Sequence, residues 1–411
     1  MKANTLFILF YFPPFKRVGG RRWAKYLKYL NKLDIEFNVL AGNYDSTSPW
    51  DKDIAPFQSK ISRIPITINY PYFKKTLPTT NFQKVKWQLS KNYSNYKANS
   101  FKGNYWDDSN GYENVFLKKA IDLIGKYKIK QIVLSVGPYR ISSILISLKN
   151  KFPEIKIVID FRDYLEDGFS QLNKTQIRYE QEFQINVLKN VDKVIVVNNE
   201  MKNYFIEKLF MKKVYVLPHC YDEDDFKSLT IENRKKENDV VRFVYGGALY
   251  SDMENHLNDF IQFLNKLYNQ GISVEVNFYS AQEGYKKIVE ASLVKINIHN
   301  YVPLEEYMDI VNNSDIILFF RPDWSPNAMS SKFFEMVRFK KTILYFGPQS
   351  DVSDFINENR LGLHYSKNWT ADKIKCILSD IKKDVLLNKS YNIEQHSFEK
   401  STLDLISILN E

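Results

Sequence analysis

Residue types that could do chemistry gather in four short stretches. Ser330-Ser331-Lys332-Phe333-Phe334-Glu335 places two serines, a cation and a carboxylate within six residues. Lys332 and Glu335 are three apart and share a face if the stretch is helical. A helix N-terminus carrying a lysine attracts anions, and a carboxylate fixed beside it can accept hydrogen bonds from hydroxyls. Phosphate plus hydroxyls is the chemistry of a sugar nucleotide. Gly246-Gly247 follows an apolar run, and glycines there let backbone N–H groups approach a phosphate. Val18-Gly19-Gly20-Arg21 repeats that arrangement near the N-terminus, with its arginines facing a phosphate or as a plain turn. Asp160-Phe161-Arg162-Asp163 ends another apolar run. At the carboxyl edge of a strand it would line a ligand crevice, unless Arg162 and Asp163 form a structural ion pair.

The elements that must carry these residues follow from periodicity. Residues 5–12 (TLFILFYF) predict a strand buried on both faces. After a turn, Trp23, Tyr26, Leu27, Leu30 and Leu33 mark the apolar stripe of a helix, with Arg21, Arg22, Lys25, Lys28 and Lys32 largely off it. A strand at 36–41 completes a β-loop-α-β unit. Residues 44–111 are the least regular part, rich in Tyr, Asn, Lys and Pro, with a β-like piece at 61–68. They predict acceptor-binding loops or a poorly ordered excursion. Alternation then returns, with helices at 115–126, 139–149, 175–188 and 200–209 and strands at 131–136, 156–161, 193–197 and 213–217. A second series places strands at 241–245, 274–279, 296–298, 315–320, 342–346 and 361–365, with closing helices at 371–381 and 394–409. The fold class is therefore α/β, in two doubly wound domains of similar size. The expected divisions are an N-terminal domain at 1–218, a charged linker at 219–239, a second domain at 240–390, and a terminal helix at 391–411 packing back on the first domain.

Composition agrees with two cores. The chain has 411 residues, 44% of them hydrophobic, which excludes disorder. Two cysteines, Cys220 and Cys376, give no disulfide framework and predict a reducing compartment. The apolar run at 5–12 is too short to span a bilayer, so the expectation is a cytoplasmic protein, soluble or peripheral on the inner face of the membrane. Net charge is +10, from 58 basic and 48 acidic residues; of these, 17 basic and 5 acidic lie between Pro14 and Tyr105, leaving 41 against 43 elsewhere. That excess predicts an anionic partner (a membrane surface, a pyrophosphate or nucleic acid), or else a solvated lysine-rich surface. The basic aromatic stretch at 70–105 lacks a recognisable nucleic-acid module, and no nucleic-acid partner is expected. His219, His256, His299 and His364 have no metal-ligand spacing, and Asp222-Glu223-Asp224-Asp225 lacks the context of a metal site.

Together these stretches resemble a large family of retaining B-type-fold glycosyltransferases that build bacterial capsule, O-antigen and other surface polysaccharides (glycosyltransferase family 4-like). The resemblance rests on Tyr11-Phe12-Pro13-Pro14 with Gly19-Gly20, Asp160-Phe161-Arg162-Asp163, Gly246-Gly247, Tyr301-Val302-Pro303 and Ser331-Lys332-Phe333-Phe334-Glu335, in the family's order. It implies two Rossmann-like domains facing across a cleft, with residues 1–218 holding a glycan or polyprenyl-linked acceptor and residues 240–390 a nucleoside-diphosphate sugar donor. Glu335 would meet the ribose hydroxyls, Gly246, Gly247, Ser331 and Lys332 the pyrophosphate, and Tyr301 and Val302 the base. Gly19, Gly20 and Arg21 would serve the acceptor side, with Arg162 and Asp163 as the catalytic pair. Transfer would be metal-independent, with no cofactor beyond the nucleotide-sugar co-substrate. Two positions depart from the family pattern. Asn327 stands where a second glutamate often contacts the donor sugar, and residues 248–254 lack the usual Arg and Lys, leaving Lys332 and Arg321 to neutralise phosphate. The same architecture serves nucleotide-sugar 2-epimerases, and a degenerate binding homologue would also accommodate Asn327.

Overall fold

The structure, a computed structural model, describes residues 4–411 except 167–168, 170–171, 228–239, 248, 250–252, 281–288, 290, 324–328, 384 and 389. The chain forms two compact units, Met1–Pro218 with Ser401–Glu411, and His219–Lys400. Each is built on one parallel sheet. The first runs β3-β2-β1-β4-β5-β6-β7 and the second β10-β9-β8-β11-β12-β13. The strands are β1 (Thr5–Leu9), β2 (Phe37–Asn43), β3 (Ile61–Pro65), β4 (Gln131–Ser135), β5 (Lys156–Asp160), β6 (Lys193–Val196) and β7 (Val214–Val216), then β8 (Val241–Gly246), β9 (Val274–Tyr279), β10 (Ile296–His299), β11 (Ile316–Phe320), β12 (Thr342–Phe346) and β13 (Gly362–His364). Continuous apolar runs such as TLFIL and IILFF are buried along their whole length, as strands covered by helices on both faces must be. In both sheets the strand order reverses once, between β1 and β4 and between β8 and β11. The crevice at such a reversal is where open α/β sheets take ligands.

Alternation along β11 divides the second core. Ile316, Leu318 and Phe320 pack with Phe260, Phe263 and Leu264 of α4 (Glu254–Asn269) on one face. Ile317 and Phe319 pack with Phe333, Phe334 and Val337 of α6 (Ser331–Arg338) on the other. The acidic run expected in the linker is folded into this unit: Asp222 caps a short 3-10 turn, Glu223–Phe226, and Glu223 pairs with Arg338. The remaining linker residues, 228–239, lie outside the described residues.

Two expectations for the first unit are corrected. Helix α1 (Arg21–Lys32) hides four of its five cations: every residue from Arg21 to Leu30 is buried, and Lys32 is exposed. Lys25 and Lys28 reach the two oxygens of Asp53 at 3.0 and 3.3 Å. Arg22 lies 3.4 Å from Asp160 and donates to the carbonyls of Leu217 and Pro218 at 2.7 and 2.9 Å. The cations look solvated in the sequence because their carboxylate partners are remote in the chain. The irregular region also contains α2 (Asn81–Ser100), twenty residues long, opened by a capping box between Thr80 and Gln83. Helix α7 (Phe398–Asn410) contributes Ser401 onward to this unit; Gln131 donates to the Leu409 carbonyl and Lys193 to that of Ile408.

Asp160 is fully buried and accepts from Trp23 Nε1 at 2.9 Å and Ser135 Oγ at 2.8 Å besides Arg22. Removing one member of such a group leaves an uncompensated buried charge. Arg22→Met should therefore cost about 3–5 kcal/mol of unfolding free energy. Arg22→Met combined with Asp160→Leu should recover part of that loss, read by urea denaturation; strict additivity of the two substitutions would show that the residues do not act as a pair.

Candidate functional site

In the second unit, the sheet reversal sets the carboxyl ends of β8 and β11 side by side. Gly246 closes β8, Arg321 follows β11, and α6 begins ten residues later. Helix α5 (Leu304–Asn312) brings Tyr307 over the end of β8. A Cβ added at Gly246 would overlap the Tyr307 ring, so this glycine makes room for an aromatic side chain. At Gly247 an added Cβ would stand 2.8 Å from the Tyr245 hydroxyl and 3.5 Å from Lys332 Nζ. The two glycines thus have different tasks: the first seats Tyr307, and the second leaves room for the Tyr245 hydroxyl.

Lys332 and Glu335 sit on the first turns of α6, opened by Ser330, whose side chain makes no capping bond. Ser331 is the first residue of α6, and Asn327 lies outside the described residues. Lys332 Nζ is 5.1 Å from the Tyr307 ring centre, within cation–π range. Burial lowers the Lys332 pKa to about 8, against the charge of Glu335, which acts to raise it. Burial also drives the Tyr307 phenol well above its ordinary value, followed by the charge of Glu335. The Tyr307 hydroxyl has no hydrogen-bond partner among the described residues. A cation whose charged state is costly, beside a phenol without a partner, is an arrangement that an incoming anion would relieve.

Neighbouring strand ends add aromatic surface. The Tyr279 and His299 rings stack at 4.5 Å, and His299 Nε2 lies 2.8 Å from Asn277 Oδ1. Tyr279 also meets the Tyr307 ring edge-on at 6.0 Å. Tyr301 follows β10 and is 78% exposed; Val302 is half-buried. The Arg321 backbone N–H bonds to the Phe346 carbonyl at 3.2 Å, and the Arg321 charge opposes the upward shift that burial imposes on the Tyr345 phenol. Tyr307, Tyr279 and His299 carry no signal in the sequence, because only the strand order places them beside Gly246 and Lys332.

In the first unit the expected residues gather at the reversal between β1 and β4. Arg162 donates to the Gly19 carbonyl at 3.0 Å and to the Gly137 and Val136 carbonyls at 3.2 and 3.4 Å. It is a clamp between the loops after β1 and β4 and does not pair with Asp163. Asp163 is exposed, and its carbonyl accepts from the Tyr139 hydroxyl at 2.9 Å. Gly19 and Gly20 lie in a short 3-10 turn, where a Cβ on Gly20 would stand 3.1 Å from the Phe15 carbonyl oxygen. Arg21 is buried at the start of α1. Sequence reading missed Asp108, which accepts from Tyr11 at 2.6 Å and Tyr70 at 3.2 Å. Its partners come from the loop after β1 and from the region read as irregular. The side chain of Asp107 beside it is turned away, accepting from Ser109, Tyr139 and Arg140.

The Gly246 seat can be tested directly. Gly246→Ala should destabilise the protein by about 1–3 kcal/mol, because the ring must move or the strand end must shift. Adding Tyr307→Ala should return part of the loss in a double-mutant cycle, measured by thermal unfolding; a Gly246→Ala variant as stable as the parent would show that Tyr307 does not need the space.

No family model and no curated protein sequence matches the chain. Solved structures do resemble it. Sucrose-phosphate synthase from Thermosynechococcus elongatus superimposes with a TM-score of 0.61 at 11% identity, over 100% of this chain and 98% of that one. A trehalose-6-phosphate protein from E. coli, bound with UDP-2-fluoro glucose, gives 0.61 at 10%, over 100% and 99%. UDP-GlcNAc 2-epimerase from Methanocaldococcus jannaschii gives 0.50 at 12%, over 99% of each chain. At these identities the likeness concerns architecture, and the architecture is that of two Rossmann-like α/β domains, the glycosyltransferase B-type fold.

Proposed function

We propose that the chain is a glycosyltransferase that moves a sugar from a nucleoside-diphosphate sugar to a surface-glycan acceptor, lipid-linked, without a metal and with retention of configuration. The observation that carries the donor half is the placement of Lys332, with Glu335 one turn on, at the start of α6, beside Gly247 and at the sheet reversal. In this reading the diphosphate lies against Lys332 and the first turn of α6. Its charge restores the protonated state that burial penalises, and as the glycosidic bond breaks the same groups stabilise the leaving diphosphate. Glu335 accepts from the ribose hydroxyls. The exposed Tyr301 and the Tyr279–His299 stack offer apolar faces to the base. Arg321 is the second candidate cation for phosphate. On the acceptor unit, Asp163 and Asp108 are the carboxylates for acceptor hydroxyls, with Arg162 holding the loops that frame them. The architecture is also that of an epimerase; incubation with nucleotide-sugars in the absence of acceptor separates the readings, since only an epimerase yields an epimer.

A thermal-shift screen of nucleoside-diphosphate sugars should find a stabilising donor, and calorimetry should then show Glu335→Ala weakening it by roughly tenfold or more. Unchanged affinity in a folded variant would remove Glu335 from the site. Proton linkage gives an independent check. Free Lys332 loses its proton near pH 8, while a bound diphosphate holds the proton to higher pH, so binding takes up a proton above about pH 8. Donor affinity should accordingly fall as pH rises from about 7 to about 9, and calorimetry in buffers of different ionisation enthalpy should record the uptake. Lys332→Met should abolish both; a proton uptake that persists in this variant would place the titrating group elsewhere.

A further inference from the structure

Helix α2 is turned inside out relative to an ordinary surface helix. One face is fixed to the first unit: Trp87 Nε1 donates to the Phe73 carbonyl at 3.0 Å, Ser90 Oγ accepts from Phe73 N–H at 3.3 Å, and Ser94 is buried. Its last turn is held by Gln176 of α3 (Lys174–Leu188), which donates to the Ala98 and Phe101 carbonyls at 2.7 and 3.0 Å. The inward face is thus largely polar or small. Outward, Phe82, Val85, Leu89, Tyr93 and Tyr96 are each at least 60% exposed. Their spacing of three and four residues brings all five into one stripe within about 80° of arc. Lys86 and Lys97 border that stripe on one side, and Leu77, 89% exposed, precedes the helix.

The charge around the stripe is of one sign. From Ile54 to Trp106 there is no Asp or Glu, against nine Lys and Arg, four of them within α2 itself. A second copy of the same helix is a poor occupant, because lysines would face lysines with no carboxylate to pair them. A nucleic acid would use the cations but leave Phe82, Val85 and Leu89 in water. An anionic bilayer satisfies both halves: the apolar side chains enter the acyl boundary, the tyrosines sit at headgroup depth and the lysines meet lipid phosphate. We propose that α2 is an interfacial anchor through which this protein lies on an anionic membrane. The lipid-linked acceptor of the functional reading would give the anchor its purpose, while the anchor itself rests on the exposed stripe and its lysines. This relocates the basic membrane surface expected from the sequence, away from the buried α1 and onto α2.

The experiment sediments the full chain with vesicles of phosphatidylglycerol in phosphatidylcholine and with phosphatidylcholine alone. The parent should bind the anionic vesicles and lose that binding in high salt. Val85→Ser with Leu89→Ser should weaken binding roughly tenfold or more, since two exposed apolar anchors are lost. Lys86→Gln with Lys97→Gln should weaken it by several-fold and flatten the salt dependence. Both pairs lie on the solvent side, so circular dichroism and the unfolding midpoint should match the parent, and so should donor-induced thermal shifts. Leu89→Trp should shift its emission to the blue on adding anionic vesicles. No sedimentation of the parent, serine variants that bind as well as the parent, or a self-association in sedimentation velocity that Leu89→Ser abolishes would each overturn the proposal. So would RNA binding that competes away no vesicle-bound protein because none is bound. A protein that sediments with anionic vesicles yet recognises no nucleotide-sugar would uphold the anchor and overturn the donor reading.

Discussion

A buried ammonium needs compensation, and in the second unit that need organises the residues at the end of β8. Lys332 enters a site where burial works against its charge, with Glu335 nearby to oppose that effect and the Tyr307 ring within cation–π range. Neither compensation is complete, as the lowered pKa shows. Tyr307 can take its position only because Gly246 has no side chain, and a side chain at Gly247 would run into the Tyr245 hydroxyl. Strand β8, helix α5 and helix α6 thus meet at this strand end. Such a pre-strained electrostatic site favours an anion that arrives with its charge already in place.

The first unit uses the same topological feature differently. Its sheet also reverses, between β1 and β4, yet there the cation is spent on the protein's own carbonyls. Arg162 joins the loops after both strands, and below it Asp160 gathers Arg22, Trp23 and Ser135 into a buried polar group. Planar guanidinium groups suit this work because several N–H donors can meet carbonyls from separate segments. The loops are thereby fixed, and what remains presented for chemistry is the exposed Asp163 and the Asp108 carboxylate held by two tyrosines.

The distribution of polarity along the N-terminal region is opposite to what local pattern implies. Basic α1 is buried because Asp53 and Asp160 neutralise it from other elements. Aromatic and aliphatic side chains of α2 are exposed because polar contacts to Phe73 and from Gln176 fix its other face inward. Amphipathicity specifies that a helix has two faces, but not which one the rest of the molecule will claim.

Much of the fold was legible in the chain itself. Apolar runs of four to eight residues alternating with helical periodicity require parallel strands with crossover helices, and TILYF and VEVNFY stand as strands at the positions their composition predicts. The Lys332–Glu335 pair was legible too, since residues three apart in a helix share a face. Sequence spacing could not reveal Tyr307, His299 or Asp108, whose neighbours come from other strands and loops. Nor could it separate a lysine that meets solvent from one that meets a distant aspartate. Those outcomes depend on strand order and burial, which decide the partners of each charge, and local periodicity contains no information about either.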